Sequence, residues 1–146
     1  MAMKKWLFIC FIAVLAFSCN STNKTVELEP EQVAAIHQDT VRIANDELEY
    51  EIIIIEPGFN PWLLTRARPR NYHDQIFLET RNRIMVTEWN NRVLQPGLFN
   101  PNLYEWQINY DPNIDYGYEV NYLLYNYFLY FQLRYKQRLS YFVPRI

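Results

Sequence analysis

The stretch DYGYEVNYLLYNYFLYFQLRYKQRLS, residues 115–140, decides how the rest of the chain is read. Between Val120 and Leu133 only Asn121, Asn126 and Gln132 interrupt an apolar and aromatic run. The run is longer than a buried strand and holds neither Gly nor Pro after Gly117, so it predicts a helix. Asp115 is placed to cap its start, and Arg134, Lys136 and Arg138 to meet the negative end of its dipole. A helix apolar nearly all round is either buried on several sides or spans a bilayer. Its Asn, Gln and Tyr content argues against spanning, which takes about 20 mostly apolar residues. Each tyrosine brings a hydroxyl that must reach water or a partner. The stretch is therefore expected to be the central helix of a small domain, its spare Tyr edges forming a wet rim or a binding face.

Outward from that helix, the clearest strand is LEYEIIIIE, residues 48–56, with Leu48, Tyr50, Ile52 and Ile54 on one face. Ile53 and Ile55 share the other face with Glu49 and Glu51, so burial on both sides is expected toward its end. Residues 40–43 suggest a preceding strand that turns at Asn45 and Asp46, and Pro57 with Gly58 stops the second. A short helix is expected from Asn60, as cap, and Pro61, as first helical residue. Residues 72–80 and 83–94 read as two helical stretches; in the second, Met85, Trp89 and Val93 recur every four residues, and Glu88 and Arg92 form an acid-then-base pair. YEWQINYD, residues 104–111, alternates strictly, with Tyr104, Trp106, Ile108 and Tyr110 on one face. That pattern predicts a half-buried strand antiparallel to the isoleucine strand. The fold class is α+β: a small antiparallel sheet of two to three strands packed by helices, the long carboxy-terminal helix most buried.

The amino end reads as an address. MAMKKWLFICFIAVLAFS, residues 1–18, has two lysines, an apolar run and then Cys19, as a secretory signal does. LAFSC, residues 15–19, resembles a bacterial lipobox, although Phe17 departs from the small residues usual there. Cleavage before Cys19 would leave that cysteine acylated, and two or three chains on one residue anchor stably. Cys10 leaves with the signal, so the domain would have no free thiol, disulfide or thiolate ligand. Loss of Lys4 and Lys5 takes the formal charge from −2 to −4, too acidic for generic nucleic-acid binding. The division expected is a signal peptide over 1–18, a lipidated cysteine and tether over 19–45, and one small globular domain over 46–146. No acid follows Cys19 closely, which favours an outer-membrane anchor facing the periplasm. Asp39, Thr40 and Val41 resemble a short O-glycosylation site of exported bacterial proteins; a strand start is the simpler reading.

The segments YEIIIIEPGF, VTEWNNRV, NPNLYEWQINYDPNIDYGYEVNYLLYNYF and FVPRI together resemble a family of uncharacterised exported lipoproteins of Gram-negative bacteria, classed as a domain of unknown function. The likeness runs over residues 48–146. It implies an envelope lipoprotein, and it implies no substrate, cofactor or catalytic residue.

Chemistry is sparse. His73 could join Asp74 and Glu79 at a metal, but no histidine pair has ligand spacing, His37 lies in the tether, and neither metal nor cofactor is expected. Ser140 lacks the nucleophile-elbow setting of serine hydrolases. Glu79, Glu88, Glu105 and Glu119 are carboxylates that a hydrolase could pair, or that simply solvate the surface and meet arginines. Residues 25–57 are acidic with Arg42 the only base, whereas 58–95 are rich in arginine. Arg66, Arg68 and Arg70 would point one way on an extended chain and could hold a phosphate, a lipid headgroup or an acidic partner. Nine of the twelve tyrosines lie between Tyr110 and Tyr141. Tyr and Trp suit interfaces and also stack on sugars, so Tyr118, Tyr122, Tyr125 and Trp62 join the three arginines as candidate binding residues. The expected function is a non-catalytic accessory protein anchored at Cys19 that docks an envelope protein. A glycan or cell-wall binding module is the alternative, and a carboxylate hydrolase a third.

Overall fold

The computed structural model describes residues 40–143 and residue 146. The signal, Cys19, His37 and all but the end of the tether lie outside the described residues. Thr40–Asn45 forms strand β1 and Tyr50–Ile55 forms β2, paired antiparallel with Val41 opposite Ile54 and Ile43 opposite Ile52. The tether drawn over 19–45 therefore overlaps β1, which Thr40 opens. The turn between the strands forms because the Asn45 side chain accepts from the N–H groups of Glu47 and Leu48, and Glu49 takes a left-handed φ of 50°. The Asn45 amide also donates to the Tyr116 carbonyl at 3.0 Å, tying the hairpin to the start of the long helix.

Burial of the hairpin is one-sided. Val41 and Ile43 are buried and Ile52 and Ile54 half-buried, whereas Ile53 is 62% exposed and Ile55 71%. The expected second buried face is thus absent: helices cover only one side, and Arg42 bridges Glu51 and Asp46 on the other.

Helix α1, Phe59–Thr65, starts two residues earlier than Asn60 and Pro61 suggest, because Gly58 can take φ 87° and stands as its N-cap. Asn60 lies inside the helix and its amide reaches the Thr40 carbonyl at 3.2 Å. Instead of two stretches there is one continuous helix α2, Gln75–Val93, capped by Asp74, whose carboxylate accepts from the Phe77 N–H at 2.7 Å. Asn82 is what breaks the apolar pattern. It faces inward, fully buried, and its amide donates to the carbonyl and side-chain oxygens of Asn121 on the long helix. Thr80 and Thr87 fit the helix by donating to the carbonyls of Ile76 and Arg83, four residues back.

Helix α3, Gly117–Tyr135, is the core. Leu124, Phe128, Leu129 and Phe131 are at most 2% exposed, and α1, α2 and β1 all pack on it. Its interrupting amides are satisfied at home: Asn121, Asn126 and Gln132 each donate to the carbonyl four residues earlier. Tyr116 rather than Asp115 stands at the N-cap, and the Asp115 carboxylate accepts from the Gly117 N–H at 2.9 Å. Lys136 adopts φ 52° and ends the helix, so only Arg134 of the three cations lies in its last turn. Beyond it, Gln132 accepts from the Leu139 N–H and folds the tail back onto the core. Among the described residues no helix is long and apolar enough to cross a membrane.

Residues 104–111 are not a strand. Tyr104 and Ile108 point inward as the alternation requires, but Trp106 is 80% exposed. The backbone partner expected from the isoleucine strand is supplied by a side chain. Asn90 of α2 accepts from the Ile108 N–H at 2.8 Å and donates to the Ile108 carbonyl at 2.9 Å. Trp89 Nε1 holds the Trp106 carbonyl at 2.9 Å, and the Tyr50 hydroxyl holds that of Asn109 at 2.7 Å.

Candidate functional site

Two clefts concentrate the aromatic and charged side chains. The first lies beside β2. Ile52 to Glu56 form one wall, residues 102–108 the other, and Trp89, Tyr127, Phe131 and Tyr135 the floor of about 380 Å³. Among the described residues β2 pairs only with β1, so its second edge carries no strand and opens to this groove. Glu56 closes one end, 7% exposed, with the Tyr135 hydroxyl donating to its carboxylate at 2.9 Å. Burial pushes the Glu56 carboxyl above the usual carboxylate range; Tyr135 and Arg134 only partly oppose this. No reading of the sequence singled out Glu56, because it looks like the polar end of a strand. Its burial follows from the turn at Pro57 and Gly58, whose chain is held by the Tyr130 hydroxyl bonded to the Pro57 carbonyl at 2.6 Å.

The second cleft, about 630 Å³, is lined by Arg68, Tyr72, His73, Phe77, Arg81, Tyr125, Phe142 and Val143. His73 stacks on Phe77 with centroids 4.0 Å apart and planes 8° from parallel, and Tyr125 meets both rings edge-on. Arg68 lies 5.0 Å from the Tyr72 ring and donates to the main-chain oxygen of Ile146, the last residue of the sequence, at 2.9 Å. Arg81 lies 5.1 Å from the Phe77 ring and 4.1 Å from that of Phe142. Burial, with the neighbouring Arg68 and Arg81, holds the His73 imidazole below its ordinary pKa against the opposing pull of Asp74.

Of the candidate binding residues, Tyr118, Tyr122, Tyr125, Arg68 and Arg70 come together around the segment that leads into α2. The tyrosines Tyr118 and Tyr122 hold the backbone of that segment, at Asn71 and Arg68. Tyr118 is half-buried, its oxygen accepting from the Asn71 N–H at 2.6 Å. Tyr122, 5% exposed, donates to the Arg68 carbonyl at 2.8 Å. Tyr125, 7% exposed, forms the inner wall of the second cleft. Arg70 is neutralised by Glu119 at 2.9 Å and lies over the Tyr122 ring. Arg68 and Arg70 thus have different partners rather than a shared anion, while Arg66 is exposed on the chain after α1. Trp62 packs apart from these, against Phe59 and Tyr130.

The carboxylates do not converge. Glu119 meets Arg70, Glu88 meets Arg92 at 2.8 Å, Glu79 accepts from Gln75, and Glu105 is exposed. The metal set suggested around His73 is not assembled, since Asp74 caps α2, and no group of three or more potential ligands occurs among the described residues. Arg81, Phe77 and Phe142 were missed in the sequence. The four-residue spacing of Phe77 and Arg81 places them on one helix face, but the contribution of Phe142 depends on the folded-back tail.

No curated protein and no solved structure matches the chain. Residues 7–143, most of the chain and more of its amino end than the resemblance over 48–146 covered, match a family of unknown function, DUF6146, and the chain belongs to that family.

Proposed function

We propose that this chain is a lipoprotein of the cell envelope, anchored through acyl chains on Cys19 with its domain on the periplasmic side of the outer membrane. Its domain acts without chemistry of its own, docking an extended segment of a partner protein in the groove beside β2. The anchor is supported by the charged, apolar and cysteine sequence of residues 1–19. The docking role rests on one observation: a strand edge that has no strand partner among the described residues borders an aromatic floor. An extended segment laid there would gain main-chain hydrogen bonds from β2 and bury alternate side chains on Trp89, Tyr127 and Phe131. Ile53 and Ile55, exposed on β2, would be covered in the same step.

The experiment is site-specific photo-crosslinking in cells from Ile55, with exposed Leu98 as the control position. One discrete product from Ile55 and none from Leu98 is expected; equal labelling from both positions would refute docking at β2. The anchor is tested by acyl-chain labelling, which Cys19→Ala should abolish. The exposed Trp106 at the groove mouth favours a second reading, stacking on a glycan. Retention on isolated cell-wall glycan that Trp106→Ala removes would support that reading over protein docking.

A further inference from the structure

The Arg68–Arg81 cleft shares no lining residue with the β2 groove, and the proposed function does not use it. We propose that it binds a small ring compound, aromatic or sugar, that carries a carboxylate or phosphate group.

The charges make the case. Arg42, Arg70 and Arg92 each meet an acidic side chain. Arg68 and Arg81 meet none among the described residues, and no acid lines their cleft. Arg81 is held by ring contacts alone, between Phe77 and Phe142. Such ring contacts take up none of the N–H donors of a guanidinium. They leave its N–H fork at the edge, the part that recognises a carboxylate or phosphate. Of the nearby acids on α2, Glu79 accepts from Gln75 and Asp74 is committed to capping the helix. Arg68 lies over Tyr72 and spends one donor on the main-chain oxygen of Ile146, the last residue of the sequence, so its remaining donors are those a ligand would meet. His73 sits with both arginines and, kept neutral, offers one N–H without adding to their repulsion.

The remainder of the wall is apolar. Phe77, Tyr125, Phe142 and Val143 give a ring-shaped body somewhere to lie, and about 630 Å³ accommodates a small molecule. Two guanidiniums would then take the oxyanion while the aromatic side chains take the ring. A bare anion would forgo the second contribution and a neutral ring the first.

The test uses the full-length protein in detergent, with the His73 ring followed by NMR and His37→Ala assigning the other histidine. Phenyl phosphate and benzoate are titrated beside inorganic phosphate and benzyl alcohol. Saturable shifts with the first two are expected, with the His73 pKa rising toward its ordinary value as an anion arrives. Inorganic phosphate should bind at least about tenfold more weakly, and benzyl alcohol should not saturate. Arg81→Gln and Arg68→Gln should each weaken phenyl phosphate about tenfold or more, the scale of one charge-assisted fork. Arg134→Gln, at an exposed position in the last turn of α3 and outside the cleft lining, should leave binding unchanged. Should Arg81→Gln fail to fold, Arg81→Lys retains the cation, loses the fork and should still weaken binding. The proposal is overturned if phenyl phosphate leaves His73 unmoved, if benzyl alcohol binds equally well, or if the Arg81 variants bind like the parent.

Discussion

Replacing Asn90 by Ala removes the side chain that pairs with both backbone groups of Ile108, as a β partner would. Two hydrogen bonds go, at 2.8 and 2.9 Å, both to the backbone of Ile108, which is 7% exposed. A net hydrogen bond contributes about 1 kcal/mol, and a buried polar group left unmade costs about 1–3 kcal/mol. Water can reach part of this site, so the lower end applies, and a loss of about 2–4 kcal/mol is expected. That is a large share of a total stability of about 5–15 kcal/mol. Asn90→Asp separates the two bonds. It keeps an acceptor for the Ile108 N–H but sets a carboxylate oxygen against the Ile108 carbonyl, so it should rescue little. The assay is urea unfolding of the full chain followed by tryptophan fluorescence, with Trp89 and Trp106 flanking the contact. A loss below about 0.5 kcal/mol, the range of ordinary surface changes, would refute the idea that a side-chain amide holds this segment in place.

Phe128→Ala, at a wholly buried position on α3, should cost about 3–5 kcal/mol and be read as a large drop in urea midpoint. Glu56 has its folded pKa raised by burial, so its stability contribution is full while the carboxyl is protonated and falls as pH rises through that raised value. Glu56→Gln should therefore melt higher than the parent near neutral pH, with the gap closing below the ordinary carboxylate range in a pH series of melts. Gly58→Ala should destabilise by about 1 kcal/mol or more, because φ is 87° and the added Cβ would lie 3.0 Å from the Tyr130 hydroxyl. Thermal unfolding checks it, and no change would mean that the turn relaxes freely. For Arg70 and Glu119, both half-exposed, a double-mutant cycle should give a coupling under about 1 kcal/mol that shrinks in salt.

The hairpin, the long helix and the α+β class were legible in the sequence because each rests on a periodic apolar pattern or a strong turn pair. Two features were not. The 104–111 strand failed although its alternation was perfect, since alternation reports which side chains face inward and not what satisfies the backbone between them. The partner was Asn90, one residue inside a helix, and nothing in its neighbourhood marks it as special. Likewise α2 was read as two stretches, 72–80 and 83–94, and Asn82 in the gap between them belongs to the core only because Asn121 faces it. The candidate binding residues show the same limit. A tyrosine in a sequence looks like contact area, and only the fold shows that Tyr122 turns inward to a carbonyl while Tyr125 lines a cleft. Arg68 could be picked out by its charge, but Arg81 gains its setting from Phe142, sixty-one residues further on.

The phenols form a pattern of their own. Tyr50 reaches Asn109, Tyr122 reaches Arg68 and Tyr130 reaches Pro57, each fastening a stretch without regular structure to a helix or strand. Small domains with few strands often gain such fastenings from disulfides, and no cysteine occurs after Cys19. Here the rivets are hydrogen bonds, so they carry no redox state and form without an oxidant. Both clefts are walled in part by riveted loops, and their shapes should be indifferent to reductant. They should instead depend on single oxygen atoms, one tyrosine at a time.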